Sequence, residues 1–323
     1  MSGLDIPQAL NTRFACAQCH ANAQWVWAAR PTARQNSSIH RLQCAQCGAQ
    51  IVAKASRGRV TDPDGCAEVR EEYETLCALQ PVFAGCARYG TLEPLGFLAV
   101  ADHGVMITGL FPGEELDRHA RKLNATGVYV AFQSAGVWLH KLHGAGGGRD
   151  VRQGLEVGKR IDYLEATYGS AFAADRKLRS ACELFARVGR DVDTLAMDGV
   201  RIHGDFKPSN MLCNATRYVG LDIQRATTGA AVYDLAPFVN HLWLANLGGI
   251  GVRARRRHEL AETAFLVGFG DAVDMRALRW AQLYFSLCYW GGYRRRGALD
   301  AVIARWKMLP LVEKTAARLR ALT

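Results

Sequence analysis

No glycine occurs between Asp5 and Cys47, and Lys54 is the only lysine before Lys122. The first absence excludes a flexible glycine-rich phosphate loop from that stretch. The second leaves one ammonium group for any anion that the early chain must hold. No segment is long and apolar enough to cross a bilayer: the most apolar one near the end, residues 277–293, carries Arg279 and Gln282. Residues 1–10 have neither the basic start nor the apolar run of a secretory signal. The expectation is a cytoplasmic protein, whose ten cysteines serve as metal ligands and buried thiols rather than as a disulfide framework. What the chain does have is 323 residues, 49% of them apolar, enough for one large or two moderate domains with a sizeable core. Its net charge of +10 favours anionic partners: phosphates, nucleic acid, acidic glycans or anionic lipid head groups.

Four cysteines come as two matching pairs. Cys16-Ala17-Gln18-Cys19 and Cys44-Ala45-Gln46-Cys47-Gly48 are both C-x-x-C knuckles, and glycine closes the second. Two such knuckles place the thiolates of Cys16, Cys19, Cys44 and Cys47 around one tetrahedral Zn²⁺, a zinc ribbon. A thioredoxin-like motif would instead stand alone at a helix start. A closed Cys₄ site keeps no open coordination position, so the metal is structural. The 24-residue spacer holds Trp25-Val26-Trp27 and the polar residues 30–38, which read as a hairpin with an extended tip. His20, beside Cys19, reads as a surface neighbour of the site.

The densest chemistry lies in Ile202-His203-Gly204-Asp205-Phe206-Lys207-Pro208-Ser209-Asn210. Asp205 and Asn210 stand five residues apart in a turn with glycine and proline, which suits a loop that aims polar groups into a cleft. Asp222 follows twelve residues later, inside the apolar run Tyr218-Val219-Gly220-Leu221-Asp222-Ile223. A loop carboxylate, a carboxamide and a second carboxylate are the equipment for moving a phosphoryl group. One carboxylate (Asp205) accepts the proton of the attacking hydroxyl, while the Asn and the other Asp (Asn210 and Asp222) hold Mg²⁺ on the nucleotide phosphates.

This order resembles the aminoglycoside phosphotransferase and choline kinase group of the protein-kinase-like superfamily. The resemblance spans roughly residues 50–300 and implies ATP as the phosphoryl donor. It also implies an α+β, bilobal protein-kinase-like fold, with a small β-rich N-lobe and hinge over residues 51–115 and a large helical C-lobe over 116–323; the zinc ribbon, over residues 10–50, lies outside the common pattern. Lys207 matches the lysine that neutralises charge on the γ-phosphate. Gln50-Ile51-Val52-Ala53-Lys54-Ala55 resembles the kinase strand whose lysine reaches the α- and β-phosphates. On the helix expected over residues 67–79, Glu72, Leu76 and Leu79 share one face, so Glu72 is the partner of Lys54, with Glu71 the alternative. Strands over residues 97–100 and 105–110 flank a turn at Asp102-His103-Gly104. Thr108, Gly109, Leu110 and Phe111 then match the segment that meets the adenine edge. Helices are expected over 128–143, 152–169, 172–188 and through 237–323. Gly146-Gly147-Gly148 reads as a linker. His143, His203 and Cys213 are expected to be structural, and Asp234, in Tyr-Asp-Leu-Ala, to brace the catalytic loop.

The twelve residues from Asp222 to Asp234 leave no room for the activation segment of a protein kinase, so the expected acceptor is a small molecule or glycan. Asp222-Ile223-Gln224-Arg225-Ala226 also resembles the lipopolysaccharide core sugar kinases, where an arginine suits an anionic acceptor. Together with the basic runs at 253–258 and 294–296, this favours an anionic sugar or lipid-linked glycan, and peripheral contact with an anionic membrane face. Nucleic acid is not expected, because the runs lack interleaved aromatics. No G-x-G-x-x-G precedes Lys54. That motivates the alternative of a catalytically weak zinc-ribbon scaffold that binds nucleotide or nucleic acid.

Overall fold

In the computed structural model, residues 5–20, 24–33, 37–56, 67–100, 103–145, 152–195, 197–223, 227–248 and 251–323 are described. Gly146–Gly148, Arg225, Asp102 and part of the 30–38 tip therefore lie outside the described residues. The chain divides into two units: Met1–Gly113 with Asn214–Arg225, and Glu114–Cys213 with Ala226–Thr323. The first is rich in strands and the second in helices, the α+β class expected.

The first unit opens with α1 (Ile6–Asn11), whose first turn is capped by the Asp5 carboxylate accepting from the Gln8 N–H at 3.1 Å. Next come β1 (Trp25–Trp27), β2 (Thr32–Ala33), β3 (Ser37–Cys44), β4 (Gln50–Ser56), α2 (Ala67–Phe83), β5 (Tyr89–Thr91), β6 (Pro94–Val100) and β7 (His103–Gly109). These strands form one antiparallel sheet in the order β1-β3-β4-β7-β6, with β2 on β3. Alternation decides its two faces. Leu42, Ile51, Ala53, Ala55, Val105 and Ile107 point into a core closed by Ile6, Leu10 and Trp25. Strands β1 and β3, which lie between the two cysteine pairs and run into the second, are thus part of the sheet that carries Lys54.

The second unit contains β8 (Glu114–Glu115), α3 (Leu116–Lys122), α4 (Ala125–Gly144), β9 (Arg152–Gln153), α5 (Val157–Ala173), α6 (Arg176–Val192), β10 (Met197–Ile202) and β11 (Met211–Cys213). The chain then returns to the first unit as β12 (Tyr218–Gly220), parallel to β5. It re-enters the second through β13 (Thr227–Ala230), α7 (Val232–Leu244), α8 (Gly251–Phe269), α9 (Met275–Arg294), α10 (Ala298–Ile303) and α11 (Leu309–Arg320).

Two helix boundaries differ from expectation. Residues 152–153 are strand β9, paired with β10, and α5 begins only after the left-handed Glu156 (φ 48°). It runs through Phe172 to Ala173, and Asp175 then caps α6 by accepting from the Lys177 and Leu178 N–H groups. A left-handed residue and a cap thus override the apolar spacing that suggested other limits.

Aromatic stacking organises the helical core. Phe206 lies 5.5 Å from Trp138 and 4.8 Å from Phe238, which lies 4.0 Å from Phe265. Each such buried ring contributes about 1.5–3 kcal/mol by leaving water. Helices α4 and α8 touch backbone to backbone at Gly136 and Gly268. A Cβ on Gly136 would come within 2.1 Å of the Phe265 carbonyl oxygen, and one on Gly268 within 2.0 Å of that of Gln133.

Candidate functional site

In the first unit, β4 aims Lys54 away from the core, and Leu76 and Leu79 bury the face of α2 that carries Glu72. Lys54 Nζ donates to Glu72 Oε2 at 2.7 Å and to Asp222 Oδ1 at 2.6 Å. Glu72, not Glu71, takes the place of the helical partner. Asp222 follows β12 with a positive φ of 51°, a conformation that non-glycine residues adopt at a cost and that concentrates at functional sites. Burial works against the Lys54 charge, but Glu72 and then Asp222 outweigh it and raise its pKa, so Lys54 is an ammonium. Burial pushes the Glu72 carboxyl above its ordinary value, and Lys54 offsets this only in part. Thr108 and Gly109 end β7; Thr108 is buried, and Leu110 and Phe111 are half-buried. The Gly109 N–H donates to the Glu93 carbonyl at 3.0 Å.

The same unit gathers the four ribbon cysteines. Cys16 and Cys47 have sulfurs 3.5 Å apart, Cys19 and Cys44 3.8 Å, and all four lie within 4.8 Å of one another. A tetrahedron of thiolates with metal–sulfur bonds of about 2.3 Å has edges of about 3.8 Å, so the cluster fits a metal of that kind. Backbone N–H groups of Cys19 and Gln18 and the neighbouring thiols outweigh burial and hold the Cys16 thiol down to about 7.

In the second unit, Asp234 at the start of α7 is fully buried. It accepts from the His203 N–H at 2.6 Å, the Gly204 N–H at 3.0 Å and His143 Nε2 at 2.9 Å. Burial pushes its carboxyl up, but the His143 hydrogen bond and the charges of His143 and His203 prevail, and its pKa is lowered. Gly204 takes φ +88°, a left-handed turn that needs glycine, and Phe206 plugs into the aromatic core. Asp205 is thereby turned outward, its side chain 42% exposed. Lys207 Nζ donates to its Oδ2 at 2.5 Å, and Asn210 Nδ2 to the same oxygen at 3.0 Å and to the Asp205 carbonyl at 2.9 Å. Asn210 sits in the 3₁₀ turn Pro208–Asn210. With its Nδ2 so engaged, its Oδ1 is the atom left for a hard cation. Cys213 is a buried thiol, pushed up to about 12 by burial.

Sequence reasoning missed two neighbours of Asp205. His241 of α7 lies with its ring 5.1 Å from that of Tyr289 on α9. Burial, then the Lys207 charge, lowers His241 to about 4, while Asp205 pulls the other way. Burial, then Asp205, raises Tyr289. Neither residue stands in a motif, and their helices read as ordinary core, so no sequence signal marks them. The basic runs are partly spent on the fold: Arg257 donates to the carbonyls of Leu247, Ala120 and Leu123, and Arg255 pairs with Glu259.

A search of curated proteins finds no match. Among solved structures, the amicoumacin kinase hAmiN, in complex with AMP-PNP, Ca²⁺ and Ami, is similar over 91% of this chain and 88% of its own, with TM-score 0.61 and 12% identity. The macrolide 2'-phosphotransferase MphH from Brachybacterium faecium is similar over 90% and 91%, with TM-score 0.54 and 18% identity. The aminoglycoside phosphotransferase APH(2'')-IIa, in its ternary complex with streptomycin and ATP, is similar over 98% and 99%, with TM-score 0.58 and 14% identity. At these identities the likeness is one of fold, the protein-kinase-like fold of the aminoglycoside phosphotransferases. A model of the phosphotransferase enzyme family (APH) matches residues 35–269, and the chain belongs to that family.

Proposed function

We propose that the protein transfers the γ-phosphoryl group of ATP to a hydroxyl of a small molecule. The observation that carries this reading is the Lys54–Glu72–Asp222 cluster, in which the fold joins residues as far as 168 positions apart. A lysine held between two carboxylates is fixed in place and fully charged, as a phosphate-binding group must be. Asp205 accepts the acceptor's proton, and Lys207, already on its Oδ2, offsets charge that develops on the transferred group. Mg²⁺ on Asn210 and Asp222 would neutralise phosphate charge. Asn210 also fixes the rotamer of Asp205, and Asp234 holds the turn that presents it.

The acceptor is read as a hydroxylated small molecule, the class named by the similar structures. The anionic sugar or lipid-linked glycan expected from the basic runs has little behind it: Arg225 lies outside the described residues, and Arg257 is committed to carbonyls. The Cys₄ cluster is read as a structural zinc site that fixes the end of β3.

The test is phosphate transfer from labelled ATP to a panel of hydroxylated antibiotics, sugars and amino alcohols, for wild type and Asp205→Asn. Removal of a general base lowers kcat by about 10²–10⁴-fold. Equal, background-level rates for both proteins would overturn the enzyme reading.

A further inference from the structure

We propose that Arg41, on β3, is the residue that covers the nucleotide base, taking a place that no glycine-rich loop fills. The inference rests on the ATP-dependent reading above and concerns the first unit alone. The register aligns the strands in rows. Ile39, Lys54 and Met106 form one row across β3, β4 and β7, and Arg41, Val52 and Thr108 form the next on the same face. The two rows lie two residues, about 7 Å, apart along the strands. A nucleotide whose phosphates meet Lys54 and whose base edge meets the end of β7 lies along this face, with its base over the second row.

The face is made for a flat ring. Helix α2 packs on β6, β7 and β4 and brings Glu72 to Lys54. Ile39 and Val52 remain half-buried and Val26, on the adjoining β1, is 39% exposed, although the opposite face of the same strands is closed core. Arg41 is the cation in this strip. It is exposed, and its side chain has no carboxylate partner among the described residues. Its position is fixed: β3 pairs with β4 over seven residues, and three residues after Arg41 the strand ends at Cys44 in the thiol cluster. A planar guanidinium over an adenine ring combines stacking with a cation–π attraction, and a lysine does not reproduce the stack.

The experiment measures binding of adenosine, ADP and ATP by calorimetry, and KM for ATP, in wild type, Arg41→Ala and Arg41→Lys, with thermal unfolding of each as a folding check. The expectation for Arg41→Ala is a similar loss for adenosine and for ATP, about 5- to 30-fold, the range of a cation–π contact. Arg41→Lys should not restore it, and kcat should stay close to wild type. Full recovery of ATP binding in Arg41→Lys, with adenosine unaffected in Arg41→Ala, would place the side chain on a phosphate and overturn the proposal. Unchanged binding in Arg41→Ala would also overturn it. If the wild type bound no adenine nucleotide, the ATP reading itself would have failed, a result distinct from either.

Discussion

At the scale of single residues, Asp234 shows how much one buried carboxylate can organise. It serves two loop N–H groups and an imidazole with no exposure to water. Asp234→Ala would strand three donors, each costing about 1–3 kcal/mol, so a large fall in the midpoint of urea unfolding is expected. His241 predicts a pH effect. Its folded pKa of about 4 lies below its ordinary 6.5, so the unfolded chain takes up a proton first on acidification. Stability from this group is complete above about 6.5 and falls as pH drops towards about 4. Chemical denaturation across that window should show a steeper loss in wild type than in His241→Gln; parallel curves would refute the assignment.

Single elements were legible to different degrees. The strand carrying Lys54 was legible as a short β-prone run and the helix carrying Glu72 from 3.6-residue spacing, signals that act over a few neighbours. The limits of α5 were not legible, because a left-handed Glu156 and the pairing of Arg152–Gln153 with β10 decide them, and that pairing joins residues over forty positions apart. The ribbon makes the clearest element-scale prediction. Purified protein should carry one zinc per chain, and Cys44→Ser should lose the metal and lower the melting temperature. Metal analysis well below one zinc would sink the Cys₄ reading. The glycine contact between α4 and α8 makes another. Gly136→Ala drives a Cβ into the Phe265 carbonyl, an overpacking expected to cost about 1–3 kcal/mol despite alanine's better helix propensity.

For the molecule as a whole, the division of labour follows chain topology. Asp222 belongs to the first unit, in the segment Asn214–Arg225, although the stretches that flank this segment on both sides belong to the second. Only that return through β12, beside β5, delivers its carboxylate to Lys54. ATP with Mg²⁺ should therefore raise unfolding stability by about 2.7 kcal/mol at a hundred times Kd. Lys54→Met should remove most of that gain, read as the shift between its own unliganded and liganded melting curves, because loss of the ammonium also leaves the buried Glu72 without its partner. An undiminished shift in the variant would remove Lys54 from the nucleotide's contacts.

By itself the sequence marked the candidate groups: the Asp205–Asn210 loop, Asp222, Lys54 and the paired cysteines stand out by residue type at short, fixed spacings. The α+β class followed from the resemblance that those motifs carry to the aminoglycoside phosphotransferase and choline kinase group. Tertiary structure alone decided which groups meet. The meeting of Asp222 with Lys54, the burial of His241 and Tyr289 near Asp205, and the row that sets Arg41 beside Val52 all depend on register and packing between distant segments. Those contacts depend on chain closure and burial, to which no local pattern of side chains responds.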